Sequence, residues 1–416
     1  MSLSMPASAG FSGFSGFLRS PRAILFGGGQ RHALGAVART LGTRALVCTD
    51  ERLAADAMFG AMIQNLQTCG LETMVYDKTQ AELPMAGVLE CVERSRAFAP
   101  DVVIGIGGGS CMDMAKLVGL LLTHGGDLSD YYGELKVPGP LMPLIAIPTT
   151  SGTGSEVTAV AVVADDRKDM KVGVSSPHLI PHTAICDPEL TRSCPPGLTA
   201  CSGADALTHA IEAFTAVRRE AAADLATGRV FVGKNALTDV HALTAIGLLA
   251  KYLPRAVENG DDTQARAGVM MAALHAGLAF GTAGTAAAHA IQYPVGALTH
   301  TAHGIGVAVL MPYVMAFNRP ACTAEFAKIA SAMGVEGHDE EKLADAAIEA
   351  VRGLLSRIGI PATLQDIGLS GDDLAHVAAQ SMLAARLVNN NPRPLDEAAM
   401  AAITRAAHQG RPPAPV

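Results

Sequence analysis

A chain of 416 residues is longer than one ordinary core, so two domains are expected. The composition, 49% apolar and 17% charged, describes a globular protein with ample core material. A net charge of −8 without any Lys/Arg cluster speaks against a nucleic-acid partner, while backbone N–H groups remain able to bind a nucleotide's phosphates.

Residues 1–20 carry only Arg19 as a charge and lack an apolar core segment. They predict a flexible tail, neither a signal peptide nor a spanning helix, and no membrane partner is expected. From about 22 to 190, short β-branched runs alternate with helical stretches. AILFG (23–27), RALVCTD (44–50), ETMVYD (72–77) and DVVIGIGGGS (101–110) read as strands, with helices expected at 31–41, 51–69 and 86–99 and after Ser110. PLIAIPTT (143–150) and AVAVVAD (159–165) add strands, the second expected antiparallel to MKVGVSS (170–176). Such alternation predicts a parallel, helix-covered sheet.

Near Pro195-Pro196 strand signals fade. Helices are expected at 199–217, 238–257, 262–283, 284–292, 304–317, 322–334, 339–357, 371–386 and 394–407. The reading is a tail (1–20), an α/β dinucleotide-binding domain (21–195), an all-helical domain (196–409) and a disordered end (410–416). Eight scattered cysteines without a C-x-x-C pair indicate reduced thiols and a cytoplasmic protein.

Chemistry concentrates in a few stretches. GIGGGS (105–110) follows a strand and opens a helix, so Gly107, Gly108, Gly109 and Ser110 can cradle a diphosphate; the alternative is a tight βα turn. Asp50 ends the second strand and can accept from an adenosine ribose, favouring NAD over NADP, or cap the helix at 51. In TTSGTGSE (149–156), Thr149 and Thr150 can meet base or ribose and Ser151–Ser155 a phosphate; alternatively this is a polar loop with Glu156 as a helix cap. Lys171 is either an outward strand lysine or a cofactor contact.

In GADALTHAIEAF (203–214), Asp205 and His209 are four apart in a helical segment and share one face. A solvated helix with a capping Asp is the plain alternative. His289, among small residues in AGTAAAHAIQ, and His303, in TAHGIG, complete a set of one carboxylate and three imidazoles that suits Fe(II) or Zn(II). His178 and His182 straddle prolines and read as turn residues; His275 reads as a core or interface histidine; His300 can face the cleft beside His303.

GGGSCMDMAK (107–116), IPTTSGTGSEVT (147–158), SGADALTHAIEAF (202–214) and HAIQYPVGALTHTAHG (289–304), in this order, resemble the iron-containing (group III) alcohol dehydrogenase family over roughly 22–400. The resemblance implies an α/β nucleotide domain and a helical domain with the site between them. It implies Asp205, His209, His289 and His303 as metal ligands, and Asp50, Gly107–Ser110, Thr149 and Thr150 as NAD contacts; Asp113, Ser155 and Lys171 are further cofactor-binding candidates. A homodimer or larger assembly is expected. Many members place a histidine four residues after the third ligand, where this chain has Tyr293, assigned with His303 to the catalytic set. The segment 216–235 is longer than usual. Both departures resemble the hydroxyacid–oxoacid transhydrogenase branch, so the substrate is expected to be a small alcohol, a hydroxy acid or a semialdehyde. A dehydroquinate synthase-type lyase would share the architecture but needs a basic cluster that the sequence lacks.

Overall fold

The computed structural model describes residues 15–411 apart from 168–170, 221 and 223. The expected tail lies outside the described residues up to 14, and the expected disordered end from 412. Residues 15–20 lie along the helical half. Phe17 N–H donates to Asn235 Oδ1 (3.1 Å) and Arg19 N–H to Thr282 Oγ1 (3.2 Å).

Among the described residues nine strands precede Asp187: β1 (Ala23–Phe26), β2 (Arg44–Cys48), β3 (Glu72–Tyr76), β4 (Val102–Gly107), β5 (Gly133–Glu134), β6 (Leu144–Pro148), β7 (Val160–Val163), β8 (Val172–Ser175) and β9 (Thr183–Cys186). Six form one parallel sheet in the order β1-β9-β6-β4-β2-β3. Helices cover both faces of it, so β4 and β6 are buried along their whole length and read as unbroken apolar runs. The chain leaves β2 towards β3 but leaves β4 towards β6. The carboxyl ends of β2 and β4 therefore flank the point where the winding reverses, which is where open α/β sheets hold their ligands. As expected, β7 runs antiparallel to β8, with Val160 opposite Ser175, and β5 extends this small sheet. The sequence reading did not single out β9, a four-residue run between a proline-rich turn and Asp187-Pro188 that is too short to show a period.

From Pro196 onward the described residues form helices and loops, giving an N-terminal α/β domain and an all-helical C-terminal one. The Pro196–Thr215 helix starts with proline at its first position, where the missing N–H costs nothing. It is buried without a break from Gly203 to Thr215, packed by the Ala236–Glu258 and Thr263–Ala283 helices. Three expected helices differ. The one placed at 51–69 is two, Glu51–Ala54 and Ala57–Thr68, because Asp56 caps the second by accepting from Met58 N–H. The one placed at 284–292 begins at Ala287 and runs through Pro294 to Thr299, because burial of Ile291, Pro294 and Val295 outweighs the hydrogen bond that proline forfeits. The one placed at 371–386 is a 3-10 turn (Gly371–Asp373) followed by Leu374–Ser381 and a separate Ala385–Val388; the Ser381 hydroxyl donates back to the Val377 carbonyl (2.6 Å) where the first piece ends.

Candidate active site

Asp205 and His209 project together from the middle of the Pro196–Thr215 helix, 4% and 5% exposed. A solvated face is thereby ruled out. His289 enters from the first turn of the Ala287–Thr299 helix, and His303 opens the His303–Asn318 helix. Three imidazole nitrogens converge on one carboxylate oxygen: the Nε2 atoms of His209, His289 and His303 stand 3.6, 3.8 and 3.8 Å from Asp205 Oδ1. Ligands of a tetrahedral ion with bonds of about 2.1 Å sit about 3.4 Å apart, close to this spacing. Asp205 Oδ1 and His289 Nε2 are buried and have no hydrogen-bond partner. Orphaned buried polar atoms are costly, so Asp205, His209 and His289, whose ligand atoms all lie within 4.8 Å of one another, fit a divalent cation, with His303 reaching the group at Asp205 from a more exposed position.

Electrostatics agree with that fit. Burial pushes the Asp205 carboxyl up to about 6, with His289 opposing and Glu212 adding to the rise. His209 and His303 are driven well below the usual imidazole value, first by burial and then by His289. Neutral imidazoles with free lone pairs are what a metal requires.

The surroundings fix these rings. Glu212, one turn beyond His209, accepts from His289 Nδ1 (2.6 Å) and from the backbone N–H groups of Ala286 (2.9 Å) and Ala288 (2.7 Å). This holds His289 in the tautomer that turns Nε2 towards Asp205. Phe280 stacks on His209 at 3.9 Å and 11°. Sequence reasoning missed Glu212, although its spacing of four then three residues after Asp205 and His209 marks one helix face.

On the nucleotide side, β4 runs into the helix Gly109–His124 through Gly107 and Gly108. Gly107 has φ +150°, and a Cβ there would lie 2.5 Å from Cys111 Sγ. A Cβ on Gly109 would lie 2.8 Å from Thr153. Backbone N–H groups at the start of this helix thus face an open cradle with no side-chain cap. Asp50 does cap its helix, accepting from Leu53 N–H (2.8 Å), and it also borders a cavity of about 680 Å³ with Arg52, Lys78 and Thr79. Thr149, on the same sheet edge, keeps a buried hydroxyl without a hydrogen-bond partner, and Thr150 lies against Gly108.

A second cavity, of about 280 Å³, joins this edge to the histidines: Gly109, Ser110, Asp113, Ser155 and Lys171 line it together with Asp205, His209, His289, Tyr293 and His303. Asp113 and Ser155 are turned to each other, the Ser155 hydroxyl donating to Asp113 Oδ1 (2.6 Å) while Val162 N–H donates to Oδ2 (2.9 Å). Lys171 stands just before β8 and is paired with Glu82. Tyr293 is half-buried between this cavity and a neighbouring one of about 340 Å³ that His300 borders, and burial raises its phenol's pKa.

Other residues do not join the site. Glu156 caps nothing; it is buried inside the 3-10 turn Ser155–Val157 near Lys116. His178 and His182 lie in the turn before β9, and His275 pairs with His241 (Nδ1 to Nδ1, 2.9 Å) between two helices. Of the long 216–235 segment, Phe231 reaches the 280 Å³ cavity, a placement no local pattern announces.

Comparison with known proteins gives concordant results. The model of the family described as iron-containing alcohol dehydrogenase matches residues 21–188, and that of the Fe-containing alcohol dehydrogenase family, C-terminal, matches 199–408. An NAD-dependent methanol dehydrogenase of Bacillus methanolicus is 35% identical over 376 residues, covering 90% of this chain and 94% of that protein. The crystal structure of a 1,3-propanediol oxidoreductase superposes with a TM-score of 0.88 at 33% identity, covering 94% of this chain and 99% of the other. That of a sulfoacetaldehyde reductase of Bifidobacterium kashiwanohense in complex with NAD+ gives 0.81 at 27%, covering 95% and 99%.

Proposed function

We propose, since this chain belongs to the iron-containing alcohol dehydrogenase family, that Asp205, His209, His289 and His303 hold its divalent metal, Fe(II) or alternatively Zn(II). NAD would lie from Asp50 across Gly107–Ser110, Thr149 and Thr150 to the 280 Å³ cavity. The reaction is transfer of a hydride between a small alcohol and the nicotinamide, giving an aldehyde, ketone or semialdehyde. The observation that carries this reading is the convergence of three imidazole nitrogens on one buried carboxylate oxygen.

When bound, the metal supplies Lewis acidity to the alcohol or carbonyl oxygen and NAD supplies the hydride acceptor. The chain does the rest. Phe280 and the buried helix faces keep water from the His209 and His289 rings. Glu212 orients His289. Tyr293, whose phenol faces the cavity, donates a hydrogen bond to the substrate oxygen or relays its proton; its raised pKa keeps it protonated at neutral pH. Lys171 and the Asp113–Ser155 pair line the same cavity and would border the nicotinamide end.

The test is metal analysis of protein purified without oxygen, with an NAD-reduction screen over alcohols, diols and hydroxy acids. Chelation should abolish turnover while leaving NAD binding within a few-fold. Full activity in metal-free protein would overturn the proposal. Sustained NADH release from an alcohol alone separates this reading from a transhydrogenase, in which the cofactor stays bound. A lyase acting on a phosphorylated sugar is disfavoured because the cavity has only two basic side chains among the described residues besides its histidines, and Lys171 is already paired. Eight free cysteines support a cytoplasmic setting. A homodimer or larger assembly is proposed with it, for light scattering to check.

A further inference from the structure

Arg386 is the one cation on the 280 Å³ cavity that the reaction outlined above does not use. It lies on the short Ala385–Val388 helix, half-buried, with its guanidinium 4.2 Å from the centroid of the Phe231 ring. Among the described residues no carboxylate lies within ion-pair distance of it, whereas Lys171 on the same wall is matched by Glu82. The Asp113 carboxylate is occupied by Ser155 and Val162 N–H. Stacking on a ring takes one face of a guanidinium and leaves its planar fork of N–H donors free, the geometry that grips a carboxylate or another oxyanion through two hydrogen bonds.

Both members of the stack are anchored. Phe231 is 6% exposed; the N–H of its neighbour Val232 donates to the Thr282 carbonyl (2.8 Å), and Val230 N–H donates to Glu134 Oε2 (2.9 Å). Beyond Arg386 the chain is tied down by the Asn390 side chain, which donates to the carbonyls of Ala283 (3.0 Å) and Thr285 (3.1 Å). Arg386 also acts on the Tyr293 phenol, opposing the rise that burial imposes, and both side chains line the same cavity. A fixed, unmatched cation on the wall of a small cavity is a recognition element for negative charge.

We infer that Arg386, held against Phe231 of the 216–235 segment, selects substrates carrying an anionic group, a carboxylate or a sulfonate, a short distance from the reacting alcohol carbon. This rests on the dehydrogenase reading above. The reaction stays balanced: the carbinol carbon gives a hydride to NAD+, the hydroxyl gives up its proton, and the products are an aldehyde with its anionic group unchanged, NADH and one proton. With about 280 Å³ shared between substrate and the nicotinamide end of the cofactor, the substrate is small.

The experiment uses metal-loaded full-length protein, wild-type, Arg386→Gln and Arg386→Lys, with 3-hydroxypropionate, 2-hydroxyethanesulfonate and 1,3-propanediol as probes. In wild-type, kcat/KM for one of the anions should exceed that for the diol by roughly tenfold or more; which anion does so tells carboxylate from sulfonate. In Arg386→Gln that anion-to-diol ratio should fall roughly 10–100-fold, mainly through KM, as expected for losing a charged hydrogen-bond donor. Arg386→Lys should recover part of it. A wild-type enzyme that prefers the diol to both anions, or a ratio unmoved in Arg386→Gln, would overturn the inference while leaving the dehydrogenase reading intact. Absence of turnover on all three probes and on simple alcohols strikes that reading instead. Calorimetry of the two anions on NAD-loaded wild-type and Arg386→Gln protein then decides the role of Arg386 alone: affinity lost with the guanidinium upholds it, equal affinity removes it.

Discussion

At the scale of single residues, Glu212 is the group on which the histidine set depends. Three donors, two of them backbone N–H groups and one a ring nitrogen, share its two oxygens, so its carboxylate is satisfied without solvent. An amide of the same shape cannot accept at both ends. In Glu212→Gln either Ala288 N–H faces the NH₂ group, or Ala286 N–H and His289 Nδ1 both do, and in either orientation His289 exchanges a charged acceptor for at best a neutral one, which weakens the anchor that presents Nε2 to Asp205. Metal affinity should weaken roughly 10–100-fold, read by competition with a chromophoric chelator. Affinity equal to wild-type would mean that the carboxylate only closes the helix packing. The stacked Phe280 ring bears on His209 and has no contact of this kind with His289, so Phe280→Leu is the matching control for general loosening of the site.

At the scale of elements, the turn from β4 into the Gly109–His124 helix is the most demanding backbone in the nucleotide half. Alanine at Gly107 would combine an unfavourable φ of +150° with a methyl pressed onto Cys111 at the first turn of the helix. Strain of this sort costs about 1–3 kcal/mol. Gly107→Ala should therefore lower the urea midpoint and weaken NAD roughly tenfold, since the helix N-terminus has to shift. Unchanged stability and unchanged NAD titration would together show that the cradle is not built on this residue. This turn was legible in the sequence because a buried β-branched run, three glycines and a helical period adjoin within twenty residues. The four side chains that meet at Asp205 Oδ1 were legible for a similar reason: each sits in a local pattern of its own. What stayed hidden is long-range. β9 gains its identity from pairing with β1 and β6, and Pro294 is tolerated in a helix through burial. Phe231 and Arg386 reach the cavity from positions 155 residues apart, without any pattern that relates them.

At the scale of the whole molecule, the cleft wall is braced by charges that water does not reach. Lys116, on the Gly109–His124 helix, donates to the carbonyls of Thr158 (2.9 Å) and Val160 (2.8 Å), fastening that helix to the segment leading into β7. Burial lowers its amine to about 8, with Asp113 and Glu156 pulling it back up. Burial likewise raises Glu156 to about 7, against the pull of Lys116. The sign of the resulting pH dependence follows. A carboxyl whose folded pKa exceeds its unfolded value of 4.5 makes the folded state bind the extra proton, so its contribution is complete below pH 4.5 and is lost as pH rises through about 7. The loss is on the order of 3 kcal/mol across that window. The lysine titrates mainly above it, with the opposite sign, since a lowered amine pKa adds stability as pH rises from about 8. Asp205, raised to about 6, bends the curve of metal-free protein in the same direction as Glu156 and therefore cancels in a comparison of variants. Urea unfolding of wild-type and Glu156→Gln at pH 4.5 and pH 7 should then diverge. Wild-type loses more stability than the variant on going to pH 7, by about 2–3 kcal/mol. Parallel behaviour of the two proteins would show that Glu156 is ionised throughout, compensated by Lys116 as a buried ion pair.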